Sequence, residues 1–589
     1  MGAMKLASPR FLSSFTKTLR LPSFGNLFKS SHPSAFPTLP NNTLNGRPLD
    51  FPHNKRILCF STSATVKATM GVSTPAAIHV KDHIDLTTKE KKIFDCLLRV
   101  LSHFNLQTQL RVAGGWVRDK LLGKECYDID IALDNMLGRE FCEKVNEYLS
   151  FSGEETQGIG VIQCNPDQSK HLETARMRLF DVWIDFVNLR SEDYSENSRI
   201  PTMRFGTAEE DAYRRDLTIN SLFYNINTSS VEDFTKRGIE DLKAGRIVTP
   251  LPPKQTFLDD PLRVLRAIRF GARFEFALDG ELKIAASDNE VRSAVADKIS
   301  RERIGHEIDL MVSGNQPVTA ITYISELQLF WAVFNLPSEV KPSEPEACER
   351  LCIAYMDSAL RFLKLVGSSF TDDQCRLCLY AALLLPFRNT SYKDKKGKMI
   401  PTVSYIFRTS LKLKNSDADA VISQHLAAEN FLCLIPLITS HEGSQNVEVK
   451  WKKETIDAPA SAKLRILAGL LLRDIKEFWR PALMLSMLLY SGTGEEPRVE
   501  DIELNTRRDL YDRVEKALVE MGLEKVWEVK PIVNGKEIMN ILELKSGGPI
   551  VKEWQEKLLQ WQLAYPEATS EECIQWMNTQ IQSKRPRIE

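Results

Sequence analysis

The chain has 589 residues, 43% hydrophobic and 26% charged, with a formal net charge of -1. That length leaves room for several domains and a substantial core. The charge balance carries no global signature of nucleic-acid binding, and it does not exclude a basic groove offset by acidic surface elsewhere. Eleven scattered cysteines suit free thiols in a reducing compartment, and the absence of an 18-residue apolar run speaks against a membrane span.

In chain order, the first 66 residues are rich in Ser, Arg, Lys and Phe, and Asp50 is the only acid before Asp82. This reads as an organelle transit peptide with a disordered spacer, residues 1–75, sending the long form to mitochondrion and/or chloroplast. Products starting at Met4 or Met70 are expected in cytoplasm and nucleus. Order is expected from about Thr87. KEKKIFDCLLRVLSHF is a helix by the spacing of Ile93, Leu97, Val100 and Leu101. QLRVA is a strand running into Gly114-Gly115, WVRDKLL a short helix closed by Gly123, and YDIDIAL the next strand. REFCEKVNEYLSF is a helix, and GIGVIQC and FDVWIDFVNLR are strands separated by a polar insert, NPDQSKHLETARMR. The alternation predicts an α/β or α+β head with a mixed sheet.

From 191 to 212 the periodicity is lost, which marks a functional, mobile loop. Beyond Tyr213 the chain reads as helical except SLFYNI and a turn-rich stretch ending at Ile247. Predicted helices include PLRVLRAIRFGARF, ISRERIGHEIDLMV, 350–366, 375–386 and 464–490. Cys375 and Cys378 lie in one helical apolar run, where a buried structural role outweighs redox or metal chemistry.

Within YDIDIAL, residues i and i+2 share a face, so Asp128 and Asp130 point one way while Ile129 and Ile131 point into the core. Two like charges this close repel unless a cation sits between them, and Mg²⁺, a hard ion, fits carboxylate and phosphate oxygens. A solvated strand face is the alternative. Asp185, between apolar neighbours on another strand, reads either as a third carboxylate of that site or as a salt-bridged acid, with Arg190 as the candidate partner. Gly114 and Gly115 sit between strand and helix, where bare N–H groups approach an anion, and Arg118 is on the first turn of that helix. Together these residues describe a site for a nucleoside triphosphate and a metal.

The ordered segments GGWVRDKLLG…YDIDIAL, HLETARMR…IDFVNLR, EEDAYRRDLTINSLFYN, DDPLRVLRAIRFGARF and ISRERIGHEI resemble the CCA-adding tRNA nucleotidyltransferases of the bacterial and eukaryotic type. The resemblance runs from about 108 to 315, and 534–568 resembles the tail of the same enzymes. It implies an α+β fold with a polymerase-beta-like nucleotidyltransferase head and an all-helical neck, body and tail. The expected domains are a head at 87–225, a neck at 226–315, a body at 316–490 and a tRNA-binding tail at 491–589.

The resemblance further implies template-independent addition of C, C and A to the tRNA 3′ end from CTP and ATP, in a monomer or weak homodimer. Asp128 and Asp130 would be metal ligands, Asp185 the third catalytic carboxylate, and Gly114, Gly115 and Arg118 the triphosphate contacts. Arg214, Arg215, Asp216 and Asn220 match the element that meets ribose and phosphates. Asp259, Asp260 and Arg263 match the base-reading element, with Asp260 and Arg263 expected on one face of a helix. Cytosine and adenine satisfy a carboxylate–guanidinium pair that uracil and guanine do not, so side chains replace a template strand. Arg266, Arg301, Glu302 and Arg303 are expected in support, Arg301 and Arg303 making helix-stabilising or nucleotide-supporting contacts with Glu302. The 191–208 loop, with Arg199, Arg204 and Gly206, takes the place of an element that assists the switch from C to A. Basic stretches at 393–398, 449–453 and the C-terminus are candidate tRNA contacts. The rival readings are a poly(A) polymerase, an enzyme adding only C, C or only A, and a catalytically dead tRNA-binding protein.

Overall fold

The computed structural model describes residues 78–162, 174–193, 202–367, 370–439, 455–491 and 503–583. The leader, the start of the polar insert, the middle of the 191–208 loop and the basic stretch 449–453 lie outside the described residues.

Helix α1 (Thr88–His103) opens on a capping box in which Thr87 and Glu90 exchange hydrogen bonds. It buries Ile93, Leu97 and Val100 under a seven-stranded sheet. The strands are β1 (Leu110–Ala113), β2 (Ile129–Leu133), β3 (Ile159–Ile162), β4 (Thr174–Leu179), β5 (Val182–Asn188), and, further along the chain, Phe223–Asn225 and Ser230–Glu232. The spatial order is β3, β4, β5, β2, β1, then the last two. All neighbours are antiparallel except β2 and β5, which run parallel. A parallel pair requires a crossover, supplied here by α3 (Gly138–Ser152) with the β3–β4 hairpin. Helix α2 (Gly115–Leu121) follows β1 directly. It is tied to α1 through Glu90, which accepts from Trp116 Nε1 at 3.0 Å and pairs with Lys120 at 2.8 Å.

The sheet has one apolar and one open face. Ile129, Ile131, Ile184, Phe186, Ala175 and Met177 are buried, whereas Asp130, Asp185 and Arg176 alternate with them on the opposite side. Strand β4 corrects the expectation of a polar insert through Arg178. Its Ala175, Met177 and Leu179 are buried and its Arg176 and Arg178 exposed, so two arginines disguise a period-2 pattern. The patternless 191–212 region is corrected as well. Strands β6 (Arg190–Asp193) and β7 (Thr202–Phe205) pair as an antiparallel ribbon, followed by α4 (Ala208–Tyr213), capped by Thr207. Ala208 and Ala212 of α4 cover Ala113 and Ala132 on the sheet's open side.

Beyond the sheet the chain is mainly helical, and the expected all-helical remainder is corrected by two short strand pairs, Arg246–Ile247 with Ala277–Leu278 and Ser391–Lys393 with Met399–Pro401. Helix α5 (Gly238–Ala244) leads to α6 (Pro253–Asp259) and α7 (Leu262–Phe274), then α8 (Gly280–Ala286), α9 (Asn289–Lys298) and α10 (Arg301–Val312). Helices α7 and α10 pack together, with Arg269 Nε 2.6 Å from Glu307 Oε2. The predicted helix at 464–490 is two, Ala460–Ile475 and Trp479–Leu489, broken where Lys476 takes φ 53°. Cys375 and Cys378 lie on Asp372–Leu383 as free thiols, Cys378 fully buried. Among the described residues one helix, Asn415–Thr439, has the length and apolarity to cross a membrane. It packs inside the helical body, and Asp417 on its first turn is bound by Arg376 at 2.9 Å.

Candidate active site

Asp130 and Asp185 are register partners on β2 and β5. Side chains opposite one another on parallel strands leave by the same face, so both carboxylates enter one cavity of about 730 Å³. Burial, together with the charges of Asp128 and Asp185, pushes the Asp130 carboxyl up to about 6. Asp128 lies one residue before β2, exposed and outside the cavity lining. Asp185 is salt-bridged, but not to Arg190: its partner is Arg176, opposite it on β4, with Nε and Nη2 at 2.5 and 2.7 Å from the two carboxylate oxygens.

The glycine turn borders the same cavity. Gly114 takes φ 72°, and a Cβ there would come within 2.8 Å of Arg215 Nη1, so a larger residue both strains the backbone and displaces an arginine. Its N–H is not bare as expected, since it donates to Leu222 O at 2.9 Å. Arg118 is buried beneath the turn, hydrogen-bonded to Asn220 Oδ1 and paired with Asp119 at 2.8 Å. Its guanidinium lies against Phe270 and Phe274 of α7, a contact between α2 and the helices beyond the sheet.

Arg214 and Arg215 are held by an acid the sequence reading missed. Asp211, on α4, is 1% exposed and receives Arg214 Nη2 at 2.5 Å and Arg215 Nη2 at 2.8 Å. Burial opposes its ionisation, yet the two guanidinium groups hold it at about 2. Its position, three and four residues before the arginines at the end of α4, was the available signal. Asp216 is buried likewise, and against that burial Arg266 at 2.7 Å and the Asn220 amide hold it at about 2. Asn220 therefore bridges Asp216 and Arg118.

Asp260 departs from expectation in its local structure. It lies between α6 and α7 with φ -136°, not on the helix with Arg263. One oxygen caps Leu262 N at 3.2 Å, and the other accepts from Arg303 Nη2 at 2.9 Å. Pro261 forces this break, because a residue before proline is pushed out of the helical region. Arg263 still faces the same cavity, its Nη2 2.7 Å from Arg214 O and 3.6 Å from Glu192 Oε2 on β6. Asp259 ends α6 outside the lining, its carboxyl raised mainly by burial. Of the supporting group, Arg266 and Arg303 line the cavity. Arg301 instead donates to Ala332 O and Val333 O, at 2.7 and 3.3 Å, and Glu302 is exposed.

Thirteen of the seventeen expected site residues thus meet around one cavity, and Asp128, Asp259, Arg301 and Glu302 do not line it. Eight arginines and five aspartates line it, an excess of positive charge suited to a polyphosphate. Arg190 and Arg273 belong to this lining although sequence reading gave them no such place. Burial, with Arg214 nearby, lowers Arg190 to about 10. Among the described residues no three acidic, His or Cys side chains form a ready cage for a metal. Magnesium does not require one, since it binds through one or two carboxylates plus phosphate oxygens and water. The all-oxygen donor set and the raised Asp130, whose neighbours resist its ionisation, fit such an ion.

Residues 110–248 match the family described as Poly A polymerase head domain. The chain is 33% identical over 508 residues to the tRNA nucleotidyltransferase cca2 of Schizosaccharomyces pombe, covering 84% of this chain and 99% of that protein. It is 37% identical over 498 residues to the mitochondrial CCA tRNA nucleotidyltransferase of Saccharomyces cerevisiae, covering 79% and 87%. The Bacillus stearothermophilus CCA-adding enzyme, solved in complex with CTP, shares the fold with a TM-score of 0.54 at 18% identity, over 85% of this chain and 100% of that one.

Proposed function

The chain belongs to the CCA tRNA nucleotidyltransferase family and is an enzyme of that kind, and from that premise we propose that it adds C, C and A in turn to the 3′ end of tRNA, consuming CTP and ATP and releasing pyrophosphate. The observation that carries this reading is the pairing of Asp130 with Asp185 at one end of an arginine-lined cavity large enough for a nucleotide.

Asp130 and Asp185, with Asp128 at the rim, would hold Mg²⁺, which when bound neutralises phosphate charge and lowers the pKa of an attacking hydroxyl. The chain's own part is binding and alignment. Arg118, Arg215, Arg266 and Arg273 face the triphosphate, and the Gly114 turn lets it approach the backbone. Asp216 and Asn220, braced by Arg266 and Arg118, offer hydrogen bonds to the ribose hydroxyls. With reactants aligned in line and charge already balanced, no side-chain nucleophile is required.

Asp260 and Arg263 present an acceptor and donors to the base edge. Arg303 holds one Asp260 oxygen, so the carboxylate meets the base in a fixed orientation. Glu192 ties the β6–β7 ribbon to Arg214 and Arg263. This supports a role for the 191–208 segment in the change from C to A, and its deletion should impair A addition more than C addition. Mitochondrial relatives, with the basic leader, support delivery of the long form to an organelle, and shorter products from Met4 or Met70 would lack that signal.

The test is incorporation into tRNA lacking its 3′ triplet. Two additions from CTP alone, and one more once ATP is present, are expected. A long A tail from ATP alone, or no incorporation, overturns the reading.

A further inference from the structure

On the open face of the sheet, β5 carries Trp183, Asp185 and Val187 in succession, and only the last two line the cavity. Trp183 is the next same-face residue outward, about 7 Å from Asp185 along the strand. It is 54% exposed although β5 is an interior strand with β4 on one side and β2 on the other. Among the described residues this tryptophan, two residues from a proposed reacting-centre carboxylate, belongs to no hydrophobic cluster that would explain it.

Its neighbours are cationic. Trp183 is the register partner of Arg178 on β4, as Asp185 is of Arg176. Arg178 is 51% exposed and, among the described residues, paired with the still more exposed Asp181 at 3.1 Å, a surface pair that an incoming phosphate exchanges at little cost. On the other side, continuing the parallel register Ile129–Ile184 by one residue brings Asp128 beside Trp183. The indole therefore lies between an exposed arginine and the outermost carboxylate. The triphosphate arginines are elsewhere, on α2, α7 and the segment after α4.

We propose that Trp183 is the stacking platform for the terminal base of the tRNA acceptor end, with Arg178 gripping the adjoining phosphate. This rests on the functional reading above and adds the position of the second substrate. A base seated on the indole places its own 3′ hydroxyl one nucleotide's reach inward, beside Asp185 and Asp130. Aromatic stacking accepts any base, because every base has a π-face. That tolerance is required of a primer site whose terminal nucleotide changes at each addition.

The experiment uses the full-length enzyme and a tRNA lacking its 3′ triplet, with 2-aminopurine as its terminal base. Wild-type enzyme should quench the 2-aminopurine and extend the tRNA from CTP. Trp183→Ala should lose most of the quenching and raise the KM for tRNA about tenfold, with the KM for CTP unchanged. Trp183→Phe, which keeps an aromatic face, should recover most of both signals. Unchanged quenching and tRNA KM in Trp183→Ala overturn the platform. So does a Trp183→Phe variant as impaired as Trp183→Ala, or an equal rise in both KM values. Failure of the wild type to extend the tRNA at all overturns the functional reading itself, a result distinct from any of these.

Discussion

Asp130 and Asp185 stand side by side across the one parallel strand pair of the seven-stranded sheet, while Arg176 closes on Asp185 from the antiparallel side. Three charged side chains from three strands thus form a row on a single face. Replacing either aspartate by Asn removes a charge at the proposed reacting centre without changing the volume of the site. Each variant should lower the rate of C incorporation by about 10²–10³ or more, with CTP binding largely kept. Single-turnover incorporation and equilibrium nucleotide binding check the two halves of that statement.

The raised carboxyl of Asp130 has a stability signature. Its ordinary value is 3.8 and its folded value about 6, so its favourable contribution is complete below pH 3.8 and lost as pH rises through 6. Without divalent metal, Asp130→Asn should therefore be more stable than wild type above pH 6, by up to ~3 kcal/mol. The two should converge below about pH 4. Adding Mg²⁺ at pH 7.5 should raise the Tm of wild type and leave that of Asp130→Asn nearly still. Thermal melts with chelator and with Mg²⁺ test this without reference to activity.

Asp211 gives the opposite sign. Two arginines lower its carboxyl from 3.8 to about 2, so the stability it adds is present above pH 3.8 and lost as pH falls through 2. Asp211→Asn should cost on the order of 2 kcal/mol at neutral pH, with the difference from wild type closing between pH 4 and 2. Arg214 and Arg215 would lose their anchor, and the KM for both nucleotides should rise. Denaturation across pH, with steady-state kinetics at neutral pH, checks both consequences.

Base selection is expected to reside in Asp260 and Arg263, with Arg303 acting through Asp260. An unsatisfied buried polar group costs about 1–3 kcal/mol, which sets the scale of discrimination each can supply. Asp260→Ala and Arg263→Ala should reduce the preference for CTP over UTP by roughly 5- to 150-fold. Arg303→Ala should move it the same way and less far. The measurement is kcat/KM for each nucleotide on the same truncated tRNA.

Much of this was legible in one dimension. Alternation in YDIDIAL separates Ile129 and Ile131 from Asp130 because strand geometry has a period of two, and any sheet that buries the isoleucines must expose the acid. The Gly114-Gly115 pair between strand and helix foretold a turn there for an equally local reason, and Gly114 makes it at φ 72°. Local rules misled where polar side chains hid the pattern: β4 was concealed by Arg176 and Arg178, and the ribbon by a run of polar residues. The break at Asp260 was readable from Pro261 and outweighed by the helical spacing that follows it.

What no local rule contains is the company each residue keeps. That Asp185 is clasped by Arg176 and not by Arg190, that Asp211 holds two arginines, and that Arg303 rather than Arg301 reaches Asp260 depend on register and helix packing between distant segments. Sequence alone determined which chemical groups the molecule owns and which face of each element they occupy, because backbone periodicity is short-ranged. Only the tertiary structure decided their partners and their acidity, because Coulomb energy and desolvation depend on distances through space.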